Sequence, residues 1–121
     1  MAERLGTSET YLAVPYSVAY ADDITFIYER LNAAAADVEG GDAAFARYLR
    51  LRARDLLADD YEGGDAAWVT GDFTGNLNAQ IGAYETYDDA LYGVKTFFAL
   101  SLLVRDRPRS AELQQNLQYL Q

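Results

Sequence analysis

The chain has 121 residues, half of them apolar or aromatic, enough for one compact domain to bury a core without covalent staples. It contains no cysteine and no histidine, which excludes disulfides, thiolate chemistry, a Ser-His-Asp triad and a His-Glu-x-x-His zinc site within these residues. A net charge of −9, from 19 acidic and 10 basic residues, repels phosphate backbones and anionic lipid and so argues against nucleic-acid and membrane partners.

Residues 1–13 are expected to form a flexible lead-in to a single helical domain, and Met1 to Thr10 lack the basic-then-apolar order of a signal peptide. With no apolar run of about 18 residues to span a membrane, a cytoplasmic protein is the expectation. A first helix is predicted from about Tyr16 to Val38. Tyr20, Ile24, Ile27, Leu31 and Ala35 recur at three- and four-residue spacing, Ala33 to Ala36 favour the helix, and Gly40 and Gly41 stop it. A second helix is predicted from Asp42, a good N-cap, to about Ala58, with Phe45, Leu49, Arg52 or Ala53, and Leu56 as its apolar stripe.

An acidic loop over Asp59 to Asp65 is expected next. The hexapeptide Glu-Gly-Gly-Asp-Ala-Ala occurs twice, at Glu39 to Ala44 and Glu62 to Ala67, and reads both times as punctuation: glycines end one helix and aspartate caps the next element. Asp59, Asp60, Glu62 and Asp65 lack the ligand order of a calcium loop. Ala66 to Thr70, short and apolar, reads as a strand, Gly71 to Asn76 as a loop, and Leu77 to Tyr87 as a second strand. In that second strand Ile81, Ala83, Glu85 and Tyr87 share one face and Gln80, Gly82, Tyr84 and Thr86 the other. A third helix, apolar all round and therefore central, is predicted from Asp88 or Asp89 to Val104, and a fourth from about Arg109 to Leu120. The basic clusters Arg47, Arg50, Arg52, Arg54 and Arg105, Arg107, Arg109 read as solvated helix faces or ends. The fold class expected is mainly α (α+β): a four-helix core with a hairpin or strand pair between the second and third helices.

Alternation puts Glu85 and Tyr87 about 7 Å apart on one side of a strand. A carboxylate beside a phenol suits holding an ammonium group while donating a hydrogen bond to a developing oxyanion, and suits equally a structural pair at a strand end. The run Gln80-Ile81-Gly82-Ala83-Tyr84-Glu85-Thr86-Tyr87-Asp88-Asp89, continuing to Phe98, closely resembles the dipeptidyl peptidase III family of zinc peptidases, where a Gly-x-x-Glu-x-Tyr-x-Asp stretch occurs. The likeness is to the segment some plant proteins carry behind a Nudix domain and to bacterial relatives. It extends through Val14-Pro15-Tyr16-Ser17, Tyr20, Asp59 to Glu62, Asp65, Ala67-Trp68, Ala111 to Leu113 and Asn116 to Gln118, nearly the whole chain.

The resemblance implies that Glu85 contacts the free amino terminus of a peptide substrate and that Tyr87 hydrogen-bonds the scissile carbonyl, with Gln80 and Gly82 also on the substrate side. The family's zinc motif has no counterpart here, so no cofactor is expected in this chain, and zinc is expected in a longer parent. On that reading the chain is an N-terminal fragment, inactive alone, whose partner is the missing zinc-binding part of the same protein. An alternative makes it a stand-alone helical interaction module that dimerises or docks a partner through an exposed strand edge. An independent enzyme is the third reading, and it lacks a convincing acid–base partner for Glu85.

Overall fold

A computed structural model describes residues 2–5, 10–85 and 96–119. The elements run β1 (Ala2–Leu5), β2 (Thr10–Ala13), α1 (Tyr16–Ala19), α2 (Ala21–Val38), α3 (Ala43–Ala58), α4 (Glu62–Thr70), β3 (Leu77–Glu85), β4 (Phe97–Val104) and α5 (Arg107–Gln118). The mainly helical α+β character holds. β1 and β2, in the expected flexible lead-in, pair antiparallel, and so do β3 and β4.

The first predicted helix is two. Tyr20 leaves helical geometry (φ −126°, ψ 38°) between α1 and α2, and this bend lets the rings of both Tyr16 and Tyr20 meet Phe98 of β4, at 5.3 and 6.4 Å. Along α2, Ile24 and Ala35 are buried, so the apolar stripe read from spacing is the face that packs on α3. Asp42 caps α3 by accepting from the Phe45 amide at 3.0 Å. Its second oxygen accepts from the Gly75 amide at 2.7 Å, which ties the loop entering β3 to the start of α3. Around that joint lies the core: Ala35 from α2, Phe45, Ala46, Tyr48 and Leu49 from α3, Ala67 from α4, Phe73 from the loop and Ala79 from β3. Three of its rings, Phe45, Tyr48 and Phe73, stand 5.3–6.0 Å apart in stacked, tilted and edge-on arrangements.

Two further segments differ from expectation. Ala66 to Thr70 is the end of helix α4, which begins at Glu62, so the acidic loop is short and Gly63 and Gly64 lie inside a helix. Glu62 and Asp65 in its first turn suit the positive end of the helix dipole, and Ala66 and Ala67 favour the helix. Gly64 is there for closeness: it is buried against Asp55 of α3, whose carboxylate accepts its amide at 2.8 Å. The second correction is Phe97 to Val104, the latter half of the predicted third helix, which is strand β4. A run of eight residues that is apolar except for Ser101 has no period that separates a buried helix from a strand, and β3 supplies the partner that its backbone requires. The part of that prediction over residues 88–95, with its caps Asp88 and Asp89, lies outside the described residues.

The fourth predicted helix is α5, capped by Asp106, which accepts from the Arg109 amide at 3.1 Å, with Pro108 in its first turn. Arg107 holds α5 to the loop before β3, donating to Asn76 Oδ1 at 2.6 Å and to the Thr74 carbonyl at 2.8 Å. No helix among the described residues is long and apolar enough to cross a membrane.

Candidate functional site

The candidate site lies at the far end of β3. From Leu77 to Ala83 the strand pairs with β4 in unbroken register, Leu77 opposite Val104 and Ala83 opposite Phe98. The register then slips, and Glu85, not Tyr84, stands opposite Phe97. One extra residue on one strand is a β-bulge, and it interrupts the two-residue alternation. The expected face shared by Ile81, Ala83 and Glu85 is therefore broken between Ala83 and Glu85. Tyr87 lies outside the described residues. Gln80 is exposed, opposite Ser101. Gly82 is buried, and a Cβ there would come within 2.6 Å of the Tyr84 ring and 2.9 Å of the Tyr61 ring, so glycine makes room for both tyrosines.

Those tyrosines belong to a cluster that sequence reasoning missed. Arg52 of α3, expected on a solvated face, is 1% exposed. Its guanidinium pairs with Asp65 of α4 and stands 3.6 Å from Asp55. It lies 4.9, 5.5 and 5.8 Å from the ring centres of Tyr61, Tyr84 and Tyr48. Tyr84 donates its hydroxyl hydrogen bond to Asp65, and the Tyr61 hydroxyl accepts from the Ala83 amide at 3.2 Å. One arginine thus connects α3, α4 and β3. Burial pushes the Tyr84 phenol well above the ordinary tyrosine range, and the Asp65 carboxylate beside it adds to the shift, so Tyr84 stays protonated as a donor. Burial also raises Asp55, against the pull of the Gly64 amide and Arg52. Partial burial would raise Asp65 too, but the Tyr84 hydroxyl and Arg52 together hold it below the usual carboxylate range. The signal in the sequence was an arginine at an apolar-stripe position of α3 in a chain with ten tyrosines.

Beside the end of β3 runs a groove of about 320 Å³, lined by Tyr16, Tyr20, Asp23, Ile24, Phe97 and Phe98 among others. Phe97, one of the residues that line this opening, is the register partner of Glu85. The Tyr16 hydroxyl accepts from the Thr96 amide at 3.0 Å and donates back to the Thr96 carbonyl, which fixes the start of β4 at the groove's edge. The donor set does not fit zinc: the chain has no histidine or cysteine, and among the described residues no three carboxylates gather as ligands.

No protein-family model matches the chain. It is 30% identical over 101 residues to Nudix hydrolase 3 of Arabidopsis thaliana, a match that covers 84% of this chain and 13% of that protein. Two solved structures share its fold at 30% identity. Dipeptidyl-peptidase III from Corallococcus sp. strain EGB aligns over 94% of this chain and 20% of its own, with a TM-score of 0.78. That from Caldithrix abyssi aligns over 98% and 22%, with a TM-score of 0.82. In sequence and in fold the chain is dipeptidyl peptidase III-like, matching about a fifth of the length of those two proteins.

Proposed function

We propose that this chain forms one wall of the substrate cleft of a dipeptidyl peptidase III-like hydrolase. In this reading Glu85 holds the free amino terminus of a peptide, Tyr87 donates a hydrogen bond to the carbonyl to be cleaved, and Gln80 and Gly82 border the bound backbone. The observation that carries it is the position of Glu85 at the end of β3, opposite a phenylalanine that lines an apolar groove. A carboxylate binds an ammonium group far better than a neutral blocked terminus, so selectivity for a free amine is the signature. A zinc ion acting on the same peptide would be held by residues outside this chain, since the donors present do not suit it.

The chain itself permits the test. Adding tetra-alanine with a free amino terminus is expected to shift the backbone amide resonances of Ala83, Glu85 and Phe97. The N-acetylated peptide is expected to leave them in place, and Glu85→Gln to abolish the difference. Equal binding of the two peptides would remove the role given to Glu85. In a longer polypeptide with hydrolase activity, Tyr87→Phe is expected to lower turnover by about 10- to 1000-fold, the range for one lost oxyanion donor, with metal content unchanged.

A second reading has its own observation. Leu100, Leu102 and Val104 of β4 are 67%, 63% and 72% exposed, and Leu113 and Leu117 of α5 are exposed as well. So much open apolar surface on a two-stranded sheet favours an interaction face, covered by another part of a longer protein or by a second copy of the chain.

A further inference from the structure

Two tethers grip β3 at its register slip. Before it, the Ala83 amide donates to the Tyr61 hydroxyl at 3.2 Å; at it, Tyr84, the extra residue, donates to Asp65. Both run back to one side chain, since Arg52 pairs with Asp65 and lies against the rings of Tyr61 and Tyr84. We propose that Arg52 is a positioning residue: it pins the β-bulge at Tyr84 and thereby sets which residue of β3 is presented beside Phe97 at the groove. The inference deepens the cleft reading and rests on it for the role of Glu85.

The physical case begins with the cost of the arrangement. A buried guanidinium paired with carboxylates is seldom the most stabilising way to join three elements, and apolar side chains of similar volume often hold them as well or better. A polar cluster adds specificity of geometry. Without the bond from Tyr84 to Asp65, the strand is free to continue its regular pairing, with Tyr84 opposite Phe97. That one-residue slip moves Glu85 away from Phe97 and inverts the faces of everything beyond it. Arginine suits the task because its flat, delocalised cation lies against aromatic rings while its N–H groups pair with a carboxylate; lysine offers only a compact point charge. Tyr48 completes the enclosure, and its hydroxyl, with Arg52 Nε and Nη1, makes no hydrogen bond among the described residues. The cation is thus held chiefly by Asp65 and the rings, so the geometry of Asp65 and Tyr84 depends on it.

The test compares wild type with Tyr84→Phe, which removes only the hydroxyl, and Arg52→Lys, which keeps the charge. Wild type is expected to show cross-strand backbone proton contacts between Glu85 and Phe97. In both variants a second set, between Tyr84 and Phe97, is expected, and exchange of the Ala83 amide is expected to quicken about tenfold while amides within α2 and α3 keep their protection. The dissociation constant for free-amine tetra-alanine is expected to rise about tenfold, with far-UV circular dichroism unchanged. If Arg52→Lys does not fold, Tyr84→Phe decides the matter. Unaltered Glu85–Phe97 contacts in a folded Tyr84→Phe would overturn the proposal, as would faster exchange spread evenly over the molecule. Wild type that binds no peptide would end the cleft reading, while the strand contacts would still decide the role of Arg52.

Discussion

Replacing Gly64 by alanine sets two effects against each other, and their sizes decide the outcome. Within a helix alanine is favoured over glycine by about 0.5–1 kcal/mol, so propensity alone predicts a more stable protein. The packing predicts the reverse. A Cβ on Gly64 would stand 2.2 Å from Asp55 Oδ2, 3.0 Å from Arg52 Cζ and 3.1 Å from Arg52 Nε. Neither neighbour is the loose end of a solvated chain: Arg52 is 1% and Asp55 7% exposed. Asp55 would have to withdraw, breaking the 2.8 Å bond from the Gly64 amide to the same oxygen. Overpacking of this kind costs about 1–3 kcal/mol and a lost hydrogen bond to a charged group about 1.5–3 kcal/mol. Set against the gain in propensity, Gly64→Ala should destabilise by about 2–5 kcal/mol. Urea unfolding followed by circular dichroism, and by fluorescence of the sole tryptophan, Trp68, on the same helix, measures this directly. Gly40→Ala is the control. Nothing lies within 4 Å of its Cβ position, and the substitution should be neutral or stabilising by up to about 1 kcal/mol. A Gly64→Ala protein as stable as wild type would refute the account of the Arg52 cluster as a tightly filled interior.

The two carboxylates of that cluster should act oppositely on stability in acid. Asp65 is held below its usual range in the folded state, so its contribution is complete above its unfolded pKa and is lost as pH falls through the lower folded value. Asp55 is raised by burial, so its contribution is present at low pH and lost as pH rises through its folded value. Melting temperatures recorded from about pH 2.5 to 6, a span that brackets ordinary carboxylate titration, should show Asp65→Asn flattening the acid-side loss and Asp55→Asn steepening it. Identical profiles for the two variants would contradict these assignments. On the surface, Leu102→Lys places a charge where β4 is open, and it should lower self-association of the chain in light scattering without a large loss of stability. Association that persists unchanged would show that the contact lies elsewhere.

The repeated hexapeptide shows how far local chemistry reaches. At Glu39 to Ala44 it does what its residues suggest: the glycines form the turn after α2, and Asp42 caps α3. At Glu62 to Ala67 the same six residues are helical throughout, and the aspartate serves the ion pair with Arg52. The difference is in the neighbours, because the second copy lies against α3, where Asp55 accepts an amide and Arg52 requires a carboxylate. Readings that rest on spacing and caps are legible in the chain itself. The stripe of α2, the start of α3, the helix with Pro108 in its first turn and the likeness of Gln80 to Asp89 to a peptidase segment are of this kind, since each is encoded within a few neighbouring residues. Strand β4 was not legible, because seven apolar residues and a serine suit a buried helix as well as a strand until β3 is there to pair with them. Nor was the slip at Tyr84, on which the placement of Glu85 depends. It needs a hydroxyl on β3, a carboxylate on α4 and a guanidinium on α3 to meet, and only the folded chain brings residues 52, 65 and 84 together.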